Sequence, residues 1–498
     1  MNKKFPWLVT VLLLILPLVG CAPASSPLLK DPENLLYPPL RFDPPRAERF
    51  ELDNGMTLFF LEDREIPLVR LSLAARAGSV YDPPGREGLA EIAGSVMRTG
   101  GTPAMSPDEF DDELDYRAID LDVSVTAQTL LVTLTVAEDY FDDALALLGN
   151  MMMTPLFDPE RLELARRIKI EELKRLPDNP QALAFREFTK LLYRDSSWGR
   201  PPSIASVEAL TRDDCLDFLS RHLSPDTIMI SVSGAVTAEE AKTKLSKHFG
   251  SWRAAAPLPP VEAPSPSVSG PLRHIHREVP QSVIVIGHIG PGKKSADYYA
   301  MTVLDFIVGG GFRSLMFLEI RTRKGLAYST GTLYNPRSDF GVLAAYAMTG
   351  PDTTASVIES TLSILETVKV RPVDEETLRW ARNALTNSHI FSFLSPHQIA
   401  LGQMMDEFEG LPPDFLRRYP EGINAVTADD LQRVAATWLD GGYRTIVVLG
   451  DSSRFDQPLS RFGTSLKLDS DLVVDPGEEM RVLQTKPHQI RKNEKPCP

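Results

Sequence analysis

The chain has 498 residues and a formal net charge of −14, with 43% hydrophobic and 24% charged residues. That composition supports large buried cores, and the length favours two or more domains. The acidic balance argues against a polyanion-binding surface, and no long basic run occurs outside the last dozen residues, so no nucleic-acid partner is expected.

The N-terminus reads as a targeting segment. "MNKKF" supplies basic residues and "WLVTVLLLILPLVG" an apolar stretch too short to span a bilayer comfortably, so residues 1–20 read as a cleaved signal peptide. Leu18-Val19-Gly20-Cys21 resembles a bacterial lipobox, which makes Cys21 the lipidated first residue of the mature chain. Several acyl chains on one residue give a stable membrane anchor. Ala22 follows, where an aspartate is absent, and by resemblance to sorting rules this places the lipoprotein at the outer membrane, facing the periplasm. Residues 21–46 are proline-rich and lack periodicity, as expected of an extended tether. The remaining cysteines, Cys215 and Cys497, form no cluster, which rules out a thiolate zinc site and argues against a structural disulfide.

Two similar halves follow, 47–253 and 272–485, separated by the proline-rich linker 254–271 and followed by a tail, 486–498. In the first half, strand patterns ("MTLFFLED", "LVRLSLAARAG") precede a helix over 88–98. The strand-rich "DLDVSVTAQTLLVTLTV" and the helical runs "AEDYFDDALALLGNMM" and "ERLELARRIKIEELKRL" come next, and a final strand closes the unit. The second half repeats this order, with "SVIVIGHIG", a helix over 297–309, "GTLYNPRSDFGVLAAYAM", and the helical "TASVIESTLSILETV" and "EETLRWARNALTNSHIFSF". "LFDPERLELARR" matches "PVDEETLRWARN", and "LTRDDCLDFLSRHLSPDTIMISVSG" matches "VTADDLQRVAATWLDGGYRTIVVLG", both at an offset of 216 residues. One offset shared by two segments points to a duplicated domain. The expected fold class is α+β: two homologous domains, each a mostly antiparallel sheet covered by helices. Met151–Met153 read as core filling. His274 and His276 share one face of an extended segment and, lacking a third partner, read as a solvated strand edge.

"GREGLAEIAGSVMRTGGT", "IEELKRLPDNP" (170–180) and "GGGFRSLMFLEIRTRKGLAYS" (309–329) resemble segments of the pitrilysin/insulinase-type metallopeptidases, the inverzincins, whose helix carries H-x-x-E-H. The resemblance covers roughly residues 46–485 and implies half of a clam-like peptidase chamber. Matched residue by residue, Glu91 stands where the first metal-ligating histidine belongs, Gly94 in place of the catalytic glutamate and Ser95 in place of the second histidine. Glu172 retains the place of the third ligand. Two imidazoles one turn apart plus a carboxylate hold zinc with one position open for water, and the glutamate between them takes that water's proton. Glycine accepts no proton and serine is a poor neutral ligand. The eight histidines lie at 222, 248, 274, 276, 288, 389, 397 and 488, so none is available in the first 221 residues. No metal cofactor is therefore expected in this chain.

The resemblance also assigns Arg321 and Tyr328 (R-x6-Y) the task of gripping a substrate carbonyl and stabilising the tetrahedral oxyanion. Gly309, Gly310 and Gly311 are expected in a flexible connection that adapts around bound peptide; the missing Gly-Lys-Ser/Thr argues against a phosphate loop. The leading expectation is a non-zinc subunit of a heterodimeric peptidase, its partner a homologous chain bearing H-x-x-E-H and zinc. Unfolded peptides would be the substrates, and the lipid would supply the membrane contact. The competing expectation is a catalytically inert peptide-binding or scaffold lipoprotein that keeps the fold.

Overall fold

The computed structural model describes residues 43–194, 196–265 and 272–468. The expected signal peptide, Cys21, nearly all of the tether, the end of the linker and the tail lie outside the described residues. Among the described residues no helix is long and apolar enough to cross a membrane.

The first lobe is built on strands β1 (Glu48–Glu51), β2 (Thr57–Glu62), β3 (Leu68–Ala75), β4 (Asp120–Val125), β5 (Leu130–Ala137) and β6 (Met229–Gly234), in sheet order β1-β2-β6-β3-β5-β4. The second has β7 (Leu272–His276), β8 (Ser282–Pro291), β9 (Ala327–Pro336), β10 (Phe340–Thr349), β11 (Thr445–Gly450) and β12 (Ser465–Leu468), in order β12-β7-β11-β8-β10-β9. Each sheet is mostly antiparallel, and the parallel pairs β2–β6 and β7–β11 occupy equivalent places. The edges differ: β1 runs antiparallel to β2, whereas β12 arrives from the end of the chain and runs parallel to β7. β7 is therefore an interior strand, and His274 is buried rather than solvated, with Ser452 donating to its neighbour His276.

The 216-residue repeat has a physical basis in helix starts. Asp158 accepts from the backbone N–H groups of Glu160 and Arg161 at the start of helix Pro159–Arg175, and Asp374 accepts from Thr377 at the start of helix Glu375–Ser388. Thr211 with Asp214 and Thr427 with Asp430 form reciprocal capping boxes. Arg166 and Arg382 each donate to the carbonyl of a residue just before those boxes, Glu208 and Val426. The repeated residues are thus the ones that fix where helices begin and how they lean on each other.

Each sheet packs its own helices on one face, where Met151 and Met152 take their place in the first core. The opposite face receives a helix from the other lobe. Helix Pro180–Tyr193 lays Leu183, Ala184 and Phe188 on Val283, Val285, Val447 and Leu449 of the second sheet. Helix Pro396–Phe408 lays Met404 and Phe408 on Phe59 and Ala74 of the first. Polar contacts fix the second dock: Arg49 pairs with Glu407 at 2.8 Å, Arg76 donates to the Phe408 carbonyl at 2.6 Å, and His397 lies between the hydroxyls of Ser72 and Ser233 at 2.9 and 3.1 Å. The exchange locks the lobes together.

Candidate functional site: a lysine-bridged carboxylate pair and a guanidinium–phenol pair

Helix Leu89–Thr99 starts from a buried carboxylate. Asp82 accepts from the backbone N–H groups of Gly88 and Ala90, both at 2.8 Å, which satisfies donors that a helix start leaves open. Burial outweighs those two bonds and pushes the Asp82 carboxyl up to about 7. Gly88 has φ +99°, a left-handed conformation that glycine adopts without strain. Leu89, Ile92, Ala93 and Val96 then point into the first core.

Glu91 faces the helix Pro159–Arg175, where Glu172 sits. The two carboxylates are brought together through a lysine. Lys169 Nζ lies 2.6 Å from Glu91 and 3.1 Å from Glu172, with its side chain 14% exposed. Burial alone pulls the ammonium down, but Glu91 and Glu172 outweigh it and hold Lys169 above the usual lysine value. The positive charge at this place is thus a covalent part of the chain.

Gly94 is packed, not vacant. A Cβ there would come within 2.7 Å of Val125 Cγ2 and 3.4 Å of Val123 Cγ1 on β4, so the glycine lets helix and strand approach closely. Ser95 points to solvent. Two carboxylates already neutralised by an ammonium, one glycine and one hydroxyl do not make a zinc site, and no cluster of three metal-ligating side chains occurs among the described residues. No step of any reaction is assigned to a metal in this chain.

The other expected residues belong to the second lobe. Helix Tyr298–Gly309 ends where Gly309 meets β9; a Cβ would lie 2.0 Å from the Thr332 nitrogen, so only glycine fits. Gly310 is crowded by Phe306, while Gly311 has open space around it. The chain continues through Phe312, 78% exposed, into a π-helical turn, Phe317–Arg323, with Lys324 N–H reaching back to the Glu319 carbonyl. That turn places Arg321 between two rings: its guanidinium carbon is 4.8 Å from the Phe317 centroid and 4.9 Å from that of Tyr328 on β9. Phe312 packs edge-on to Phe317 at 5.1 Å. Tyr328 is 74% exposed. Among the described residues no carboxylate pairs with Arg321 and no group hydrogen-bonds the Tyr328 hydroxyl. Two strong donors are thus held side by side with their hydrogen-bonding capacity unspent. No hydrogen bond, ion pair or ring contact among the described residues joins this pair to Glu91 or Glu172.

Sequence reasoning missed Lys169. Its i,i+3 spacing to Glu172 is visible in "KIEE", but the bridge to Glu91 requires the helix packing. The aromatic neighbours Phe312 and Phe317 were also legible only as part of a glycine-rich segment.

Fold and site together define a two-lobed α+β architecture in which a lysine ammonium holds Glu91 and Glu172 together in the first lobe. The family comparisons agree. Residues 59–203 match the model described as insulinase (peptidase family M16), and residues 209–385 match the peptidase M16 inactive domain. The chain belongs to the M16, insulinase-like peptidase family. Among solved structures it resembles a peptidase M16 inactive domain from Pseudomonas fluorescens (TM-score 0.76, 19% identity, covering 83% of this chain and 100% of that one). It also resembles a protease from Helicobacter pylori (TM-score 0.74, 19% identity, 81% and 99%). Sequence relatives include an uncharacterized zinc protease of Rickettsia felis, 24% identical over 77% of this chain and 93% of that protein, and one of Bacillus subtilis, 23% identical over 70% and 85%.

Proposed function

We propose that this chain is the non-zinc subunit of a two-chain M16 peptidase, working with a homologous partner that carries H-x-x-E-H and zinc. The observation that carries the reading is the Arg321–Tyr328 pair: a half-buried guanidinium 4.9 Å from the centroid of an exposed phenol ring, neither with an ion pair or hydrogen bond among the described residues. A guanidinium and a phenol held in place before the reaction are the groups that stabilise an oxyanion developing on a peptide carbonyl. Phe317 holds the guanidinium from behind and limits its rotamer freedom, so less order has to be imposed when substrate arrives. The partner's metal would generate and aim the hydroxide; this chain would supply the charge-stabilising side of the cleft and half of the chamber wall. Gly311, with space around it, gives the segment before Phe312 room to move as a peptide enters. The same reading includes lipidation at Cys21 and a place on the outer membrane facing the periplasm.

The test is reconstitution. The chain is co-expressed with an H-x-x-E-H homologue from the same genome, and peptide hydrolysis is measured for each chain and for the mixture. The proposal expects a co-purifying complex that cleaves unfolded peptides, with this chain inactive alone. A homologue equally active with and without this chain would favour the inert scaffold instead.

A further inference from the structure

A cleft of 340 Å³ opens between the lobes beside Glu91, with neither Arg321 nor Tyr328 in its lining. Its aromatic lining comes from Phe185, Tyr193 and Trp198. Four cations also line it: Arg186 and Lys190 from helix Pro180–Tyr193, Arg200 from the loop beyond, and Arg337 from the β9–β10 turn of the other lobe. One carboxylate, Glu91, is in the lining, and Lys169 already holds it.

The three arginines are fixed by contacts that leave hydrogen-bonding capacity over. Arg337 lies 4.7 Å above the Trp198 ring, whose N–H is held by the Glu262 carbonyl at 3.0 Å and whose edge meets Phe340 at 4.8 Å. Arg186 donates through Nη2 to the Pro202 carbonyl at 2.9 Å, and Arg200 through Nη2 to the Asp82 carbonyl at 3.1 Å. Both keep a buried Nε–H with no hydrogen-bond partner. Besides Glu91, Glu187 lies 3.9 Å from Lys190, and Glu187 and Glu172 act on Arg186. Burial holds the Arg186 guanidinium below its usual value despite them. The nearby start of helix Leu89–Thr99 adds nothing for an anion, because Asp82 already takes its Gly88 and Ala90 donors.

We infer that this cleft binds a carboxylate carried on an apolar residue, as at the free C-terminus of a peptide. Planar guanidinium forks match a carboxylate's two oxygens. The aromatic walls take the adjoining side chain, and the volume lies near the lower end of small-ligand pockets, enough for the end of a peptide rather than a folded partner. Binding here needs this chain alone. Its failure would leave the Arg321–Tyr328 reading standing, and failure of that reading would leave this one.

The test is calorimetric titration of the intact chain with an N-acetylated peptide ending in phenylalanine, as free acid and as C-terminal amide. The acid should bind about tenfold or more tightly than the amide, and progressively less tightly as salt is raised. Arg337→Gln and, separately, Lys190→Met should each weaken the acid while leaving the amide unchanged; Lys190 covers the case in which the arginine variant fails to fold. Inorganic phosphate should displace the acid only weakly. Equal binding of acid and amide, binding of neither, indifference of the acid to both variants, or displacement by phosphate at matching concentration would each overturn the assignment.

Discussion

Replacing Lys169 with methionine removes the ammonium from between Glu91 and Glu172 while keeping an unbranched stem of similar reach. The lysine is 14% exposed, but the Glu91 and Glu172 side chains are 38% and 66% exposed, so both carboxylates rehydrate when the cation leaves. An exposed ion pair contributes about 0–1 kcal/mol and breaking a fully buried one costs about 3–5 kcal/mol; a buried cation between two half-wet anions falls between, at about 1–2 kcal/mol. Urea unfolding at pH 8 should show that loss as a lower midpoint at unchanged slope. The folded state raises the Lys169 pKa, so its contribution is complete below the ordinary lysine value and fades as pH rises through the higher folded value. The gap between wild type and variant should therefore close in alkali. The variant should still take up no stoichiometric zinc, since two carboxylates and a serine remain without an imidazole. Equal stability of the two proteins at pH 8, or a gap that persists unchanged through the lysine titration, would refute the idea that the ammonium holds this centre together.

Gly94→Glu places a Cβ 2.7 Å from Val125 Cγ2 and should destabilise by about 1–3 kcal/mol in thermal unfolding, with Val125→Ala restoring most of the loss; an unaffected melting temperature would contradict the packing. Burial, with Arg70 adding to it, lowers His397 to about 4, so the unfolded chain binds its proton first. Stability should accordingly fall by up to roughly 2–3 kcal/mol as pH drops from 6.5 towards 4, and His397→Gln should flatten that limb of the unfolding profile. Cys21→Ser should abolish labelling by a fatty-acid precursor and release the protein from the membrane fraction; retention of both would end the lipobox reading.

Local patterns were legible because they are written in short-range chemistry. The helix over 88–98 appears as Leu89–Thr99, and the helix over 297–309 as Tyr298–Gly309, each within a residue at either end. The repeat was legible because Asp158, Asp374, Thr211 and Thr427 do the same capping work in both halves. What the sequence hid is long-range. Nothing in "QALAFREFTKLLY" says that Phe188 covers the opposite lobe's sheet, although the unbroken burial of β8 is the mark of a strand packed on both faces. At the candidate site the residue types of Glu91, Gly94 and Ser95 are plain in the sequence. Their surroundings are not: Lys169 reaches Glu91 across 78 positions, and Val125 fills the space over Gly94 from another element.

The central claim is that Arg321 and Tyr328 stabilise charge for a metal carried by another chain, and one substitution addresses it. Tyr328→Phe deletes a single hydroxyl that bonds nothing among the described residues and leaves the ring under Arg321, so folding and assembly should be unchanged. Removing one oxyanion donor costs about 2.7–4 kcal/mol, or roughly 10²–10³ in kcat. Measured in the reconstituted complex with the zinc-bearing partner, kcat should fall by that factor with KM nearly constant, because the donor acts on charge present in the transition state. A fully assembled complex that cleaves peptide at the wild-type kcat would contradict the account.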